Sequence, residues 1–504
     1  MAEKQSAVPS EGRTFTEDLF GDAVFCDISE EFTLPEYEPE IKKILRVTAR
    51  VLPAGKYVGG GRAEFAGSVV YGLIYRGTEG ETGCVSLSSD YEFAVPCNNG
   101  DREIAVFADT VADSVMCRPL APRRLQFRTR LKSRVQMLSD SAVPPCDAPP
   151  LTEILRSTAP VCLRKRITGG EFEIGGDIKV QGRPLACDGT VSVTEMHCEQ
   201  GEVYCRGELW ARVTCEDGGL ITYEKRIPFE RRFDGDVDKS WLCRPIASCW
   251  SCEYTGDENG GEVSAVAEVE AECCAAFSVA LARDAFVCGA PSVAEKSKTE
   301  LTSCVDCGSV TVPVNGSRVL TGEEAGLDRV CAPWWEVAFE NPERDGSGAA
   351  VRGNAVLHCI LQGEGGECAP VKIEMPFRVR LEGVASGGGR LYGNLSGTLS
   401  SVRIKTEKGS VSAEGELSVS VIITEKATES TVCSVKTVPS EDEKTPFGVS
   451  VVYPQKGDSL WQIAKRRGVS PAELCRMNGL SAELCEDPDS EESLAGVRAL
   501  TLKR

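Results

Sequence analysis

The chain of 504 residues carries 76 acidic against 56 basic side chains, a formal net charge of −20, so it lacks the broadly electropositive face that nucleic acids and anionic membranes require. With 41% hydrophobic residues, a chain of this length holds several domains, each able to bury an ordinary core. No apolar run approaches the roughly 20 residues that cross a bilayer. The opening Met-Ala-Glu-Lys-Gln-Ser lacks the apolar stretch of a signal peptide, which predicts a chain that stays in the cytoplasm where it is made. That compartment is reducing, and the 24 cysteines therefore read as small apolar packing residues and not as a disulfide framework.

Residues 1–33, polar and acidic with scattered aromatics, read as an N-terminal arm, either weakly ordered or a short strand-forming lead-in. A repeat begins after it. Pro39 to Val51 (PEIKKILRVTARV) recurs as Pro149 to Val161 (PPLTEILRSTAPV), with Ile-Leu-Arg and Thr-Ala in register. A second marker is a glycine opening an alternating strand: Gly67-Ser-Val-Val-Tyr, Gly207-Glu-Leu-Trp-Ala and Gly353-Asn-Ala-Val-Leu. Each is followed by a strand that ends in proline, at Val95-Pro96, Ile227-Pro228-Phe229 and Met375-Pro376-Phe377, so each copy contains a hairpin. A further alternating pair closes each copy, at Arg124 to Met137, Glu262 to Phe277, and Val402 to Thr406 with Val411 to Ile422. Period-two strands and glycine turns, with few amphipathic helices, predict β-sandwich or barrel-like domains at 34–140, 141–290 and 291–427. Residues 428–445, rich in Ser, Thr, Glu and Lys, read as a solvated linker to a last unit at 446–504.

That unit is the most legible part of the chain. Val449 to Tyr453 is β-branched and aromatic as a strand requires, and the turn Lys456-Gly457-Asp458 feeds Ser459-Leu460-Trp461-Gln462, a hydroxyl cap at a helix start. Gly468 stops this helix. Ser470-Pro471-Ala472-Glu473 opens a second one that Asn478-Gly479 closes, and Gly496 to Leu502 supplies a closing strand. The pattern resembles the LysM domain. The whole chain then reads as mainly β, three repeated β-sandwich-like domains followed by a small α+β (βααβ) LysM domain. The resemblance implies that Gly457, Asp458, Ser459, Leu460, Trp461 and Asn478 serve ligand or partner binding, along a groove that accepts the glycan of peptidoglycan. An acidic insert at Glu486 to Glu492 lengthens one border of that groove and favours a basic protein surface over sugar.

Residue types that carry chemistry are sparse. His197 and His358 both lie in strand-like stretches and read as half-buried strand residues, away from any nucleophile or matched carboxylate pair. Cys304-Val-Asp-Cys307 and Cys249-Trp-Ser-Cys252 have the spacing of half a zinc site, but no second pair completes four ligands, so structural cysteine is the reading. The triglycines at 59–61 and 387–389 sit between strands as turns and lack the Lys-Ser/Thr of a phosphate loop. Lys465-Arg466-Arg467, at the end of a short helix, reads as a solvated face favoured by the helix dipole. Of Trp334-Trp335, one is expected in the core and one outside. No catalytic residue, metal ligand or cofactor is therefore expected, and the protein is not expected to be an enzyme.

Leu34 to Leu45 (LPEYEPEIKKIL), the Pro-Phe hairpins and a single carboxy-terminal LysM together resemble the SPOCS-domain proteins of endospore-forming bacteria. That resemblance implies a scaffold of spore-coat assembly, made in the mother-cell cytoplasm, gathered at the forespore surface and engaging a SpoIVA-type coat morphogenetic ATPase or other coat proteins. The alternative is a cell-wall protein that binds peptidoglycan.

Overall fold

The computed structural model describes residues 14–97, 102–258, 260–346, 348–381, 383, 389–407, 409–439, 448–481, 489–490, 494 and 497–503. It is mainly β, with two short helices near the carboxy end.

Each of three repeats is a pair of antiparallel sheets. In the first, β1 (Phe15–Phe20) and β2 (Ala23–Thr33) run along one edge of a central β8 (Arg124–Ser141) with β7 (Ala105–Ala121) on the other; β3 (Ile41–Val51) and β4 (Gly55–Gly59) flank β5 (Arg62–Gly77) opposite β6 (Thr82–Pro96). In the second, β9 (Thr152–Ile178) and β13 (Leu242–Asp257) flank β14 (Gly260–Val287), while β10 (Arg183–Cys198) and β12 (Leu220–Asp234) flank β11 (Glu202–Glu216). In the third, β15 (Ser292–Val319) and β20 (Arg390–Glu407) flank β21 (Ser410–Thr437); β16 (Arg329–Phe339) and β17 (Glu343–Asp345) lie beside β18 (Gly348–Gln362), with β19 (Cys368–Leu381) opposite. The inner faces meet as sandwiches: Tyr71 and Leu73 of β5 pack on Phe127 and Leu131 of β8, Leu209 and Val213 on Val263 and Ala265, and Leu357 on Val419.

The glycine marker has a steric cause that is the same three times. Gly67 pairs with Tyr91, Gly207 with Phe229 and Gly353 with Phe377. A β-carbon at these glycines would lie 2.8, 2.6 and 2.5 Å from an aromatic ring atom or hydroxyl of the partner, or closer still to neighbouring backbone. The ring folds over the bare strand and fills the space a side chain would take.

Three expectations need correction, and a fourth is decided between its two readings. The arm at 1–33 is strand-forming and not weakly ordered where it is described: it contains β1 and β2, which complete the first sheet along β8 from Phe15 to Thr33; its acidic look arises because Asp27, Ser29 and Glu31 face water while Cys26, Ile28 and Phe32 turn inward. Residues 1–13 lie outside the described residues. The linker at 428–445 is strand as far as Thr437, paired with β15 from Ser292 to Glu300, and its Thr431 and Val432 are fully buried; threonine and serine suit a strand as well as a linker. Residues 440–447 lie outside the described residues. The matched segments at 39–51 and 149–161 fall on non-equivalent strands, since β3 belongs to the sheet of β5 whereas β9 belongs to that of β14. By pairing, the repeats span β1–β8, β9–β14 and β15–β21. Finally, Pro228 and Pro376 stand in mid-strand opposite Glu208 and Asn354, on edge strands where a missing N–H costs no ladder bond, while only Pro96 ends its strand.

The repeats close on one another. Arg46 of β3 reaches Asp188 of β10 at 2.6 Å, Gln362 of β18 accepts the Leu220 N–H at 2.8 Å, and Lys43 donates to the Cys368 carbonyl at 2.9 Å, so each repeat touches both others. Two plugs fill the junction. One is apolar, with Leu45 and Ile74 from the first repeat, Leu220 from the second, and Cys331, Ala332, Ile360 and Cys368 from the third. The other is ionic, built on Asp18, Arg164, Glu272, Arg244 and Asn394.

Candidate functional site

The carboxy-terminal unit pairs β22 (Val449–Val452) antiparallel with β23 (Leu500–Lys503), and between them run α1 (Leu460–Arg467) and α2 (Pro471–Asn478). Its helix ends follow from local chemistry. The Ser459 hydroxyl accepts the Gln462 N–H at 3.2 Å and donates to Asp489 at 3.1 Å. Gly468, at φ 64, takes the left-handed conformation that ends α1, and the Ser470 hydroxyl with Pro471 starts α2. Leu460, Ile463, Ala464, Leu474, Leu500 and Leu502 form its core.

The six residues singled out from sequence fare differently. Gly457 is exposed, with open space where a side chain would stand. Asp458 is held in the turn: its N–H donates to the Gln455 carbonyl, its carboxylate accepts the Gln455 N–H at 3.0 Å, and its other oxygen pairs with Arg466. Ser459 is spent on the cap, and Leu460 is fully buried. Asn478 donates to the carbonyls of Leu474 and Thr501 and accepts the Thr501 N–H at 2.6 Å, tying β23 to α2. The turn at 457–459 and Asn478 thus sit on separate parts of the unit's hydrogen-bond network. Of the acidic insert at 486–492, only Asp489 and Ser490 fall among the described residues.

Trp461 has an unexpected partner. Its ring packs edge-on against Phe286 of β14 at 5.1 Å between centroids, and its indole N–H donates to the Asp284 carboxylate at 2.9 Å. Lys465, one turn along α1, reaches both Asp284 oxygens at 2.6 and 2.7 Å, and the Gly289 N–H donates to the Gly468 carbonyl at 2.8 Å. Burial raises the Asp284 pKa, but the Lys465 and Trp461 bonds outweigh it and hold the carboxyl below its usual value. Hence α1 is docked on the second repeat. Asp284 owes its aim to a bulge, because the pairing of β14 with β9 slips between Ala282 and Asp284, leaving Arg283 to reach Ser157 and Glu429. No sequence signal marked Asp284: an aspartate late in a long alternating strand looks like any outward residue. Val449 and Val451 of β22 and Tyr453 just after it are exposed.

Elsewhere, His358 is buried and stacked on Trp334 at 3.8 Å, with Glu336 3.5 Å away. His197, expected to be half-buried, is instead exposed between Glu195 and Glu199, because the outward alternation of β10 leaves it at the sheet surface. Both tryptophans are half-buried: Trp335 packs on Trp210 at 4.8 Å with Arg212 over its ring at 4.4 Å. The triglycine at 387–389 lies outside the described residues apart from Gly389. No group of three or more potential metal ligands occurs among the described residues, and no described helix is long and apolar enough to cross a membrane.

Comparison with known proteins agrees with this geometry over one segment. No curated protein and no solved structure matches the chain. Residues 455–483 match the LysM domain family, so the unit that carries α1 and α2 is a LysM domain.

Proposed function

We propose that this chain is a non-enzymatic scaffold of spore-coat assembly of the SipL type, made in the mother-cell cytoplasm and gathered at the forespore surface, where it engages a SpoIVA-type coat ATPase or other coat proteins. The observation that carries the reading is the docking of the LysM on the second repeat through Trp461, Lys465 and Asp284. It makes three interlocked sandwiches and the LysM one body, with the apolar stripe of Val449, Val451 and Tyr453 turned outward. A fixed body with several outward faces suits a protein that holds others in place. The resemblance of residues 34–45 to the SPOCS pattern supports the same setting.

The second reading, binding to peptidoglycan or another N-acetylglucosamine polymer, is favoured by the LysM match and by the exposed turn at Gly457. One experiment separates them. The full chain is offered purified SpoIVA-type ATPase and, in parallel, peptidoglycan sacculi. Saturable binding to the ATPase with little retention on sacculi supports the scaffold, and retention on sacculi without ATPase binding replaces it with the wall-binding reading.

A further inference from the structure

The second repeat brings thiols from its two sheets into contact. Cys187 of β10 and Cys252 of β13 have their sulfurs 3.5 Å apart, and Cys198 of β10 lies 3.8 Å from Cys273 of β14. Two features of the backbone create the first contact. Gly189 follows Cys187 on the same inner face, and a β-carbon there would come within 2.9 Å of the Cys252 sulfur and 3.1 Å of the Cys249 sulfur, so the absent side chain lets the sheets close in. The second feature is a bulge. The pairing of β13 with β14 slips at Trp250, so that Cys249 faces Ala267 and Cys252 faces Ala265, both wholly buried. Strict alternation would send residues three apart to opposite faces, whereas the bulge aims both at the core. The other repeats have no such seam: β3 and β20, which correspond to β10 and β13, contain no cysteine.

We propose that this seam is a disulfide-forming site, in which Cys187 joins Cys252 and Cys198 joins Cys273 when the folded protein meets a peroxide, stapling the two sheets of the second repeat together. The half-buried Cys187 is open to a small oxidant. Its thiolate attacks one peroxide oxygen, the O–O bond breaks, and the departing hydroxide takes up a proton to leave as water. The Cys252 sulfur then attacks the resulting sulfenic acid, the S–O bond breaks and a second water leaves. Two thiols and one hydrogen peroxide thus become one disulfide and two waters. In the second pair Cys273 is wholly buried and Cys198 keeps 6% of its surface exposed, so Cys198 is the sulfur placed to meet the oxidant first, and hydrogen bonds from Cys243 and Cys273 hold its pKa below the usual value. Each link closes a long loop, 65 and 75 residues apart in sequence, so oxidation constrains the unfolded chain strongly.

The test uses the full chain, oxidised with a small excess of hydrogen peroxide, blocked with maleimide and digested without reductant. Linked peptides 187–252 and 198–273 are expected, together with a rise of about 5 °C or more in the thermal midpoint of the oxidised protein. Cys187→Ser and Cys198→Ser each remove one link, and the double variant loses the rise. The proposal is overturned if native oxidation yields no link between β10 and β13 or β14, if such links form only in denaturant, or if the double variant gains the same rise. Peptide mapping of the wild-type chain decides the matter alone should a variant fail to fold.

Discussion

The two plugs at the three-repeat junction solve one packing problem in opposite ways. At the apolar end, Leu45, Ile74, Leu220 and Ile360 contribute through buried area, and losing one leaves a cavity but no unpaired charge. At the ionic end nothing is independent. Glu272, 3% exposed, accepts from Arg164 on one oxygen and from Arg244 at 2.8 Å and 2.6 Å on the other, with the Asn394 amide at 3.2 Å. Arg164 also binds Asp18 at 2.7 Å, and Lys426 donates to the Asp18 carbonyl at 3.0 Å. Two guanidinium groups thus face two carboxylates drawn from the first and second repeats, and the third repeat closes the set with Asn394 and Lys426. The apolar plug supplies attraction without direction, whereas the ionic plug accepts one mutual arrangement of the repeats, because any other leaves a charge in the interior unpaired.

The largest expected effect comes from breaking the ionic plug. Glu272→Ala leaves Arg164 and Arg244 buried without their shared counter-charge and should cost about 3–5 kcal/mol, read as a lowered urea midpoint for the full chain. Replacing all four of Asp18, Glu272, Arg164 and Arg244 with apolar residues of similar volume, so that no carboxylate is left without a partner, should recover most of that loss while loosening the fit of the repeats, seen as faster amide exchange along β1 and β20. A quadruple variant as unstable as the single one would mean that the charges attract more than they orient. A smaller, cleaner loss is expected at the other end: Leu45→Ala leaves a cavity against Ile74 and Ile360 and should cost about 2–4 kcal/mol, with no such recovery available from a second substitution.

This contrast also explains how much was legible in the sequence. The LysM helices could be read because their signals are local: Ser459, Gly468, Ser470 and Gly479 act within a few residues of themselves. The hairpins were legible for the same reason, and the glycine marker proved to be a cross-strand pair with an aromatic residue. What failed was whatever depended on distant partners. Residues 14–33 looked like an arm because half of a surface strand is polar by design, and only β8 reveals the other half. The Ile-Leu-Arg match misled because β3 and β9 share an alternating pattern without sharing a sheet. The bulges at Trp250, Val305 and Arg283 were invisible, yet they decide which way Cys252, Cys307 and Asp284 point.

The third and smallest effect tests whether burial or charge makes the ionic plug selective, using the ion pair that keeps water. Asp284 and Lys465 bind as closely as the central pairs, but their side chains remain 24% and 41% exposed. An exposed pair adds little, so Asp284→Asn should cost no more than about 1 kcal/mol and leave the global unfolding transition of the chain unmoved. Its effect should appear instead in the docking of α1, as faster amide exchange over residues 460–468. The sign with pH follows from the lowered pKa of Asp284 in the docked state. The carboxylate favours docking above its undocked value near pH 4, and that contribution fades as pH falls through the docked value. Protection of α1 in the wild-type chain should therefore decline in acid before the ring of repeats opens, and the Asn variant should lose that pH dependence while keeping the Trp461–Phe286 contact. Should Asp284→Asn destabilise the whole chain as much as Glu272→Ala does, the difference between buried and wet ion pairs would not be what organises this molecule.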